Sequence, residues 1–161
     1  MASRVRAAGA LAVRALLQRV RRAEVRVEAR SVGRISRGLV VLLGVGPLDD
    51  DATTDALARQ VAELRIFRDE EGRTNRSLLD VAGAALVVSQ FTLFADTSRG
   101  RRPGFTGAAA AEPAERLYLR FAAALTALGV DVATGQFGAE MEVELVNDGP
   151  MTIWLDTASR A

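Results

Sequence analysis

The chain of 161 residues contains no cysteine, no histidine and no lysine, and all 21 of its basic side chains are arginine. Without cysteine or histidine there is no thiolate nucleophile, no imidazole base, no Ser-His-Asp triad and no conventional zinc site. Without lysine there is neither a Schiff base nor a P-loop. An enzyme built from this chain must therefore use carboxylates, hydroxyls, backbone amides or groups carried by its substrate.

The sequence also lacks a long apolar run and a strong excess of charge of one sign. No stretch approaches the ~20 uninterrupted apolar residues of a membrane helix. The formal net charge of +1 gives no global field of the kind that marks a nucleic-acid binder. Arginines do cluster locally, near 19–22 and 99–102, but an arginine-only, alanine-rich composition is more economically explained by a biased genome. With no disulfide available, we expect a soluble cytoplasmic protein.

The length and the 49% hydrophobic content predict one globular domain with a substantial core. Residues 1–12 combine basic side chains with a short apolar run that Arg14 interrupts, which is a weak match to a targeting peptide. We expect them to form a disordered extension or to reflect a misassigned start. The folded domain is expected over 13–161.

Changes in hydrophobic period predict the order of the elements. Alternating or continuous apolar residues predict strands at 14–20, 24–28, 39–45, 85–94, 140–146 and 151–155. An amphipathic helix is predicted after the aspartates at 49–51, and a second one from Pro113 to Gly129. This order is typical of a single α+β domain with two main helices and a mostly antiparallel or mixed, barrel-like sheet.

Two stretches do not have the pattern of plain core strands. In "VVSQFTLF" the polar residues Ser89, Gln90 and Thr92 surround Phe91, and unpaired buried polar groups cost roughly 1–3 kcal/mol each. The stretch is therefore either a functional site or a half-exposed strand with a polar face.

The second stretch, "LVNDGPMTIWL", interrupts two alternating runs with a Gly-Pro pair. A proline cannot donate to a central strand ladder, and Asn-Gly or Asp-Gly would make a simpler hairpin. The pair either forms a turn or presents its carbonyl groups to a ligand.

Together, "VVSQFTLFADTSRGRRPGF" and "VNDGPMT" resemble the two signature stretches of the D-aminoacyl-tRNA deacylase family, and the likeness extends over about 13–157. The resemblance implies a homodimeric ester hydrolase that acts on D-aminoacyl-tRNA and needs neither a cofactor nor a metal. It also implies that the peptide between Gly149 and Pro150 is cis and inserts into the active site of the partner subunit. Its carbonyls would hold the substrate there and exclude an L side chain, braced by Asn147 and Thr152 and fixed by Arg19.

On the reacting side, the resemblance places Ser89, Gln90 and the backbone amides of Phe91 and Thr92 around the ester carbonyl. Amides directed at a developing oxyanion need no ionisable catalyst, and the 2′-hydroxyl of the terminal adenosine would assist. Thr92 could act as a nucleophile only with a base that the sequence does not supply. Two other functions stay open: editing of an L-aminoacyl-tRNA such as L-alanyl-tRNA, although Phe91 with Asp148 favours the D-specific branch, and nucleic-acid binding by a non-catalytic dimer.

Overall fold

A computed structural model describes residues 12–159, so the expected N-terminal extension lies, except for its last residue, outside the described part. The strands are β1 (Arg14–Val27), β2 (Arg30–Ile35), β3 (Gly38–Gly44), β4 (Phe67–Arg68), β5 (Thr74–Arg76), β6 (Ala84–Ser89), β7 (Asp131–Thr134) and β8 (Glu142–Asp156). The helices are α1 (Asp51–Glu63) and α2 (Ala111–Ala127), with 3₁₀ turns at Phe91–Phe94 and Thr157–Ser159.

Six strands form one mixed sheet in the order β2-β1-β3-β6-β7, with β8 paired to the other edge of β1. The β1 pairings are antiparallel, whereas β3-β6 and β6-β7 are parallel. The two ends of this order approach each other so closely that a Cβ added at Gly33 would lie 2.3 Å from the Thr134 carbonyl oxygen. The sheet is therefore nearly closed, and the prediction of an α+β domain with a mixed, barrel-like sheet is confirmed.

The two helices cover one face of the sheet and complete its larger core. Asp50 caps α1 by accepting a hydrogen bond from the Thr53 amide at 2.8 Å, which satisfies one of the free amides at the start of a helix. The buried stripes Leu57–Val61 and Leu117–Leu125 then pack over β1, β3 and β6. No helix in the described range is long and apolar enough to cross a bilayer.

Several strand predictions were wrong, and the short strands β4, β5 and β7 were not predicted. The runs at 14–20 and 24–28 are one strand, because β1 continues past 20 with β8 along its whole length and β2 on its other edge. The segment 30–35, for which no strand was predicted, is β2. The strand predicted at 85–94 ends at Ser89, and a 3₁₀ turn replaces its second half.

The Gly-Pro pair lies inside a strand and does not separate two strands. Gln18 pairs with Thr152 and Val20 pairs with Asn147, so an advance of two residues along β1 is matched by an advance of five residues along β8. The three extra residues form a bulge, a local excursion in which the chain leaves the ladder without turning back. The proline is tolerated because the bulge makes no ladder hydrogen bonds.

Candidate active site

The bulge in β8 is anchored from the protein interior by Arg19 of β1, which is 2% exposed. Its guanidinium donates to three backbone carbonyl oxygens, those of Ile66 at 2.6 Å, Asp148 at 3.1 Å and Gly149 at 3.5 Å. Burial lowers the pKa of Arg19, and the Asp148 carboxylate opposes this shift. The residue that was expected to fix the Gly-Pro segment therefore contacts it directly.

A second arginine, which was not predicted from the sequence, holds the same bulge from the solvent side. Arg68 Nη1 lies 3.1 and 3.0 Å from the two carboxylate oxygens of Asp148, and its Nη2 donates to the Gly149 carbonyl at 3.2 Å. Burial raises the pKa of Asp148, but the hydrogen bond from Arg68 and the charges of Arg19, Arg68 and Arg21 together hold that pKa below its ordinary value. Nothing in the periodicity around 68 singles this arginine out, because its partner lies 80 residues away.

Asn147 and Thr152 lie at the two ends of the bulge. The Asn147 side-chain amide donates to the Arg19 carbonyl at 2.9 Å and to the Met151 carbonyl at 3.2 Å, so it ties β1 to both sides of the excursion. The Thr152 hydroxyl accepts a hydrogen bond from the Gln18 side chain at 3.2 Å. Between them, the Gly149–Pro150 peptide is cis, as the resemblance implied.

The other candidate cluster begins where β6 ends. The Gln90 amide donates to the Leu43 carbonyl at 2.7 Å and ends the ladder, and the chain then enters the 3₁₀ turn. The first amides of a helical turn have no partner within that turn, and across 12–159 no hydrogen bond is donated by the amides of Phe91 or Thr92. The Gln90 side-chain amide donates to the Thr92 hydroxyl. Two unengaged backbone donors thus lie side by side on an exposed turn.

An aromatic pair borders this turn. The Phe91 ring is 55% exposed, and it meets the Phe105 ring edge-to-face with their centroids 5.0 Å apart. An exposed aromatic of this size beside free amides provides an apolar wall for a ligand. Ser89 is half-buried at the end of β6, so all four predicted residues of this stretch occupy one small region.

The two candidate clusters do not meet within one chain. Ser89 lies in the row Leu43, Ala15, Leu155, whereas the bulge lies beside Arg19, whose row contains Leu39 and Ala85. They are separated by roughly 13 Å along the strands and by three strand spacings, ~14 Å, across the sheet. The strand pairings of one chain therefore do not bring the two clusters together.

Comparisons with known proteins identify the family of the chain. A family model described as D-Tyr-tRNA(Tyr) deacylase matches residues 16–156. The chain is 60% identical to a D-aminoacyl-tRNA deacylase of Paracoccus denitrificans over 92% of this chain and 100% of that protein. It is 62% identical to the D-aminoacyl-tRNA deacylase of Dinoroseobacter shibae over 89% and 99% of the two chains.

Two solved structures share the fold. One, a c-Myc DNA unwinding element binding protein, superimposes with a TM-score of 0.83 at 38% identity and covers 88% of this chain and 97% of its own. The other, a probable eukaryotic D-amino acid tRNA deacylase, has a TM-score of 0.79 at 22% identity over 91% and 100% of the two chains. The family model and the full-length relatives confirm the predicted resemblance. The chain belongs to the D-Tyr-tRNA(Tyr) deacylase family.

Proposed function

We propose that the protein hydrolyses the ester bond of D-aminoacyl-tRNA and releases free D-amino acid and tRNA in the cytoplasm, where charged tRNA is used. The observation that carries this proposal is the 60% identity to a D-aminoacyl-tRNA deacylase over that relative's whole length. The absence of cysteine, histidine and lysine agrees with a mechanism that needs no ionisable catalyst.

In this proposal the amides of Phe91 and Thr92, flanked by Ser89 and Gln90, receive the oxygen of the ester carbonyl. Water adds to the carbonyl carbon, and negative charge develops on that oxygen. Amides that are already fixed and unpaired stabilise this charge without reorganising, which is what the start of the 3₁₀ turn offers. The bond from carbon to the ribose oxygen then breaks, and the leaving oxygen takes the proton that the added water gives up, with the neighbouring 2′-hydroxyl assisting the transfer.

The bulge supplies the chiral selection. The Gly149 carbonyl oxygen already accepts hydrogen bonds from Arg19 and Arg68, so its direction is set from within its own chain. The group that faces the substrate is then the Pro150 carbonyl, together with the Gly149 Cα, which carries no side chain. A D-amino acid whose amino group contacts this surface directs its side chain away from the surface, whereas an L side chain would collide with it. Such a site selects the configuration at Cα and accepts many D side chains.

We further propose that the protein is a homodimer in which the bulge of one subunit enters the site of the other. The wide separation of the two clusters within one chain supports this, and so does the edge of β8. In the described part of the chain this 15-residue strand pairs only with β1, and it exposes Val143, Val146 and Trp154. A long unpaired edge with apolar side chains is unusual on a free surface.

The decisive assay compares deacylation of D-tyrosyl-tRNA, L-tyrosyl-tRNA and L-alanyl-tRNA. We expect release of D-tyrosine well above the buffer control and little release of either L-amino acid. Faster release of L-alanine would make the protein an L-aminoacyl-tRNA editor. No release from any substrate, with nucleic-acid binding retained, would favour a binding dimer, the function that the name of the c-Myc DNA unwinding element binding protein suggests.

Complementation between subunits tests the shared site directly. A variant altered only at Gly149 and a variant altered only at the Ser89–Thr92 stretch are each expected to be inactive. Random exchange of subunits between them makes about half the dimers hybrids, each with one intact site, and therefore restores about a quarter of the wild-type activity. If exchange is demonstrated and no activity returns, both clusters do not act across the subunit interface.

A further inference from the structure

The loop 95–104, which has no role in the proposed mechanism, directly follows the 3₁₀ turn Phe91–Phe94 that carries the two free amides. It starts at Ala95, whose amide donates to the Thr92 carbonyl at 3.1 Å and so ends the turn. Asp96 and Gly104 then close it with a reciprocal pair of backbone hydrogen bonds of 2.7 and 2.9 Å. Every residue from 95 to 104 is exposed.

This arginine loop (residues 95–104) carries three arginines, of which Arg99 acts through its charge on the carboxylate of Asp96. Arg99, Arg101 and Arg102 form no hydrogen bond or ion pair with any residue in 12–159. The one acid of the loop, Asp96, is occupied locally, because its carboxylate accepts from both the amide and the hydroxyl of Ser98. The loop thus carries a net charge of +2 on a chain whose total is +1.

Other arginines of this chain show that such freedom is not general. Arg116 and Arg120 on α2 pair with the carboxylates of Asp51 and Asp55 on α1. On the sheet, arginines of β1 share Glu144 in the same manner. These arginines stabilise the packing of neighbouring elements through carboxylate partners, whereas the arginine loop brings no second carboxylate besides that of Asp96.

The base of the loop is fixed against the reacting site. Phe105 follows the closing pair, and its ring packs on Phe91 at 5.0 Å. The Phe91 amide is one of the two free donors of the turn. If the proposed function is correct, the ester on the terminal ribose lies at this turn, so the phosphates of the last nucleotides must pass close to the loop.

We infer that the arginine loop binds phosphate groups of the unpaired 3′ end of the tRNA, chiefly through Arg101 and Arg102. Guanidinium groups bind phosphate oxygens with two parallel hydrogen bonds. They also supply affinity that does not depend on base sequence. This inference rests on the proposed function for the position of the ester, and it adds the surface that holds the rest of the substrate.

The direct test is binding of uncharged tRNA, which requires no catalysis. The Arg101→Gln, Arg102→Gln double variant is compared with Arg30→Gln, Arg34→Gln, which removes the same charge from two exposed arginines of β2 that form no ion pair with any residue in 12–159. Each phosphate contact to a single strand contributes a salt slope of about 0.7. Two lost contacts should lower the slope by about 1.4 and weaken binding roughly 25-fold at 0.1 M salt relative to 1 M.

Equal weakening by the two double variants, or no weakening by the loop variant, would overturn the inference. A second readout uses 3′-O-D-tyrosyl-adenosine, a substrate without the preceding phosphates. The ratio of kcat/KM for D-tyrosyl-tRNA to that for the nucleoside should fall at least tenfold in the loop variant and stay constant in the β2 variant. If neither substrate is hydrolysed by the wild type, the proposed function fails, while the salt slopes still decide the role of the loop.

Discussion

Arg19 and Asp148 are joined twice, because the Arg19 Nε donates to the Asp148 backbone carbonyl at 3.1 Å and lies 3.2 Å from a carboxylate oxygen of the same residue. This pair connects the middle of the longest buried strand to the bulge that bears the Gly-Pro peptide. A guanidinium that is 2% exposed is tolerated only if its charge and its donors are matched. The position of the bulge and the stability of the domain therefore depend on the same side chain.

Replacing this arginine should damage the fold. Arg19→Ala removes the donor of three backbone hydrogen bonds. It also removes one of the two arginine partners of the half-buried Asp148 carboxylate. We therefore expect a loss of roughly 3 kcal/mol in the free energy of unfolding. Urea unfolding measures it. Arg22→Ala is the control, because the Arg22 pair with Glu144 is exposed and should contribute less than about 1 kcal/mol. Similar losses in the two variants would contradict the anchoring role.

Arg68→Ala should separate positioning from stability. Arg68 is 43% exposed, so removing its contacts to Asp148 should change the free energy of unfolding by less than about 1 kcal/mol. The Gly149 carbonyl, however, loses a charged donor, and we expect kcat/KM for D-tyrosyl-tRNA to fall about tenfold. The matched control is Arg59→Ala, an exposed arginine paired with Glu63 on α1, and it should leave kcat/KM at the wild-type value. A normal kcat/KM for Arg68→Ala would show that Arg19 alone positions the bulge.

The parts of the fold that the sequence predicts are those with a local cause. Both helices are detected because their apolar stripes and start signals lie within a few turns of each other, as with the Asp50 cap of α1. The class of the sheet follows from the order of the elements. The boundaries fail where a distant partner decides them. β1 continues through 21–23 because β8 pairs with it there, and no pattern in β1 itself reports that pairing.

The candidate site shows the same division. The nine predicted residues fall into two compact clusters because each cluster is a short contiguous stretch, joined in one case by Arg19. The sequence could not indicate that the Gly-Pro pair sits on a bulge, since this depends on the offset between Gln18–Thr152 and Val20–Asn147. Nor could it indicate Arg68, whose role depends on a contact across 80 residues.

Gly149→Ala should be harmless to the single chain and harmful to the reaction. A Cβ at this position would meet only the Asn147 Oδ1 atom, at an ordinary 3.5 Å, and Gly149 is not among the glycines with left-handed backbone angles. We therefore expect a free energy of unfolding within about 0.5 kcal/mol of the wild type. In the proposed dimer the added methyl group enters the partner's substrate site, so D-tyrosyl-tRNA deacylation should fall by at least 100-fold with dimerisation retained.

A glycine substitution that damages the fold provides the contrast. Gly33→Ala would place its Cβ 2.3 Å from the Thr134 carbonyl oxygen, where backbone must move, so we expect that variant to lose stability as well as activity. If Gly149→Ala instead unfolds like Gly33→Ala, its effect on deacylation says nothing about the substrate site. Near-normal deacylation by a stable Gly149→Ala dimer would remove the proposed chiral filter.

Thr92→Ala distinguishes a backbone mechanism from a threonine nucleophile. The Thr92 side chain is exposed, and its hydroxyl accepts a hydrogen bond from the Gln90 side-chain amide. Within 12–159 this hydroxyl donates no hydrogen bond to a carboxylate that could act as a base. If only the amides of Phe91 and Thr92 stabilise the oxyanion, removing the hydroxyl costs one hydrogen bond and less than about tenfold in kcat. Loss of a true nucleophile costs on the order of 10⁶. Single-turnover deacylation of D-tyrosyl-tRNA separates these outcomes, and a dead Thr92→Ala enzyme with an intact fold would replace the amide mechanism with covalent catalysis.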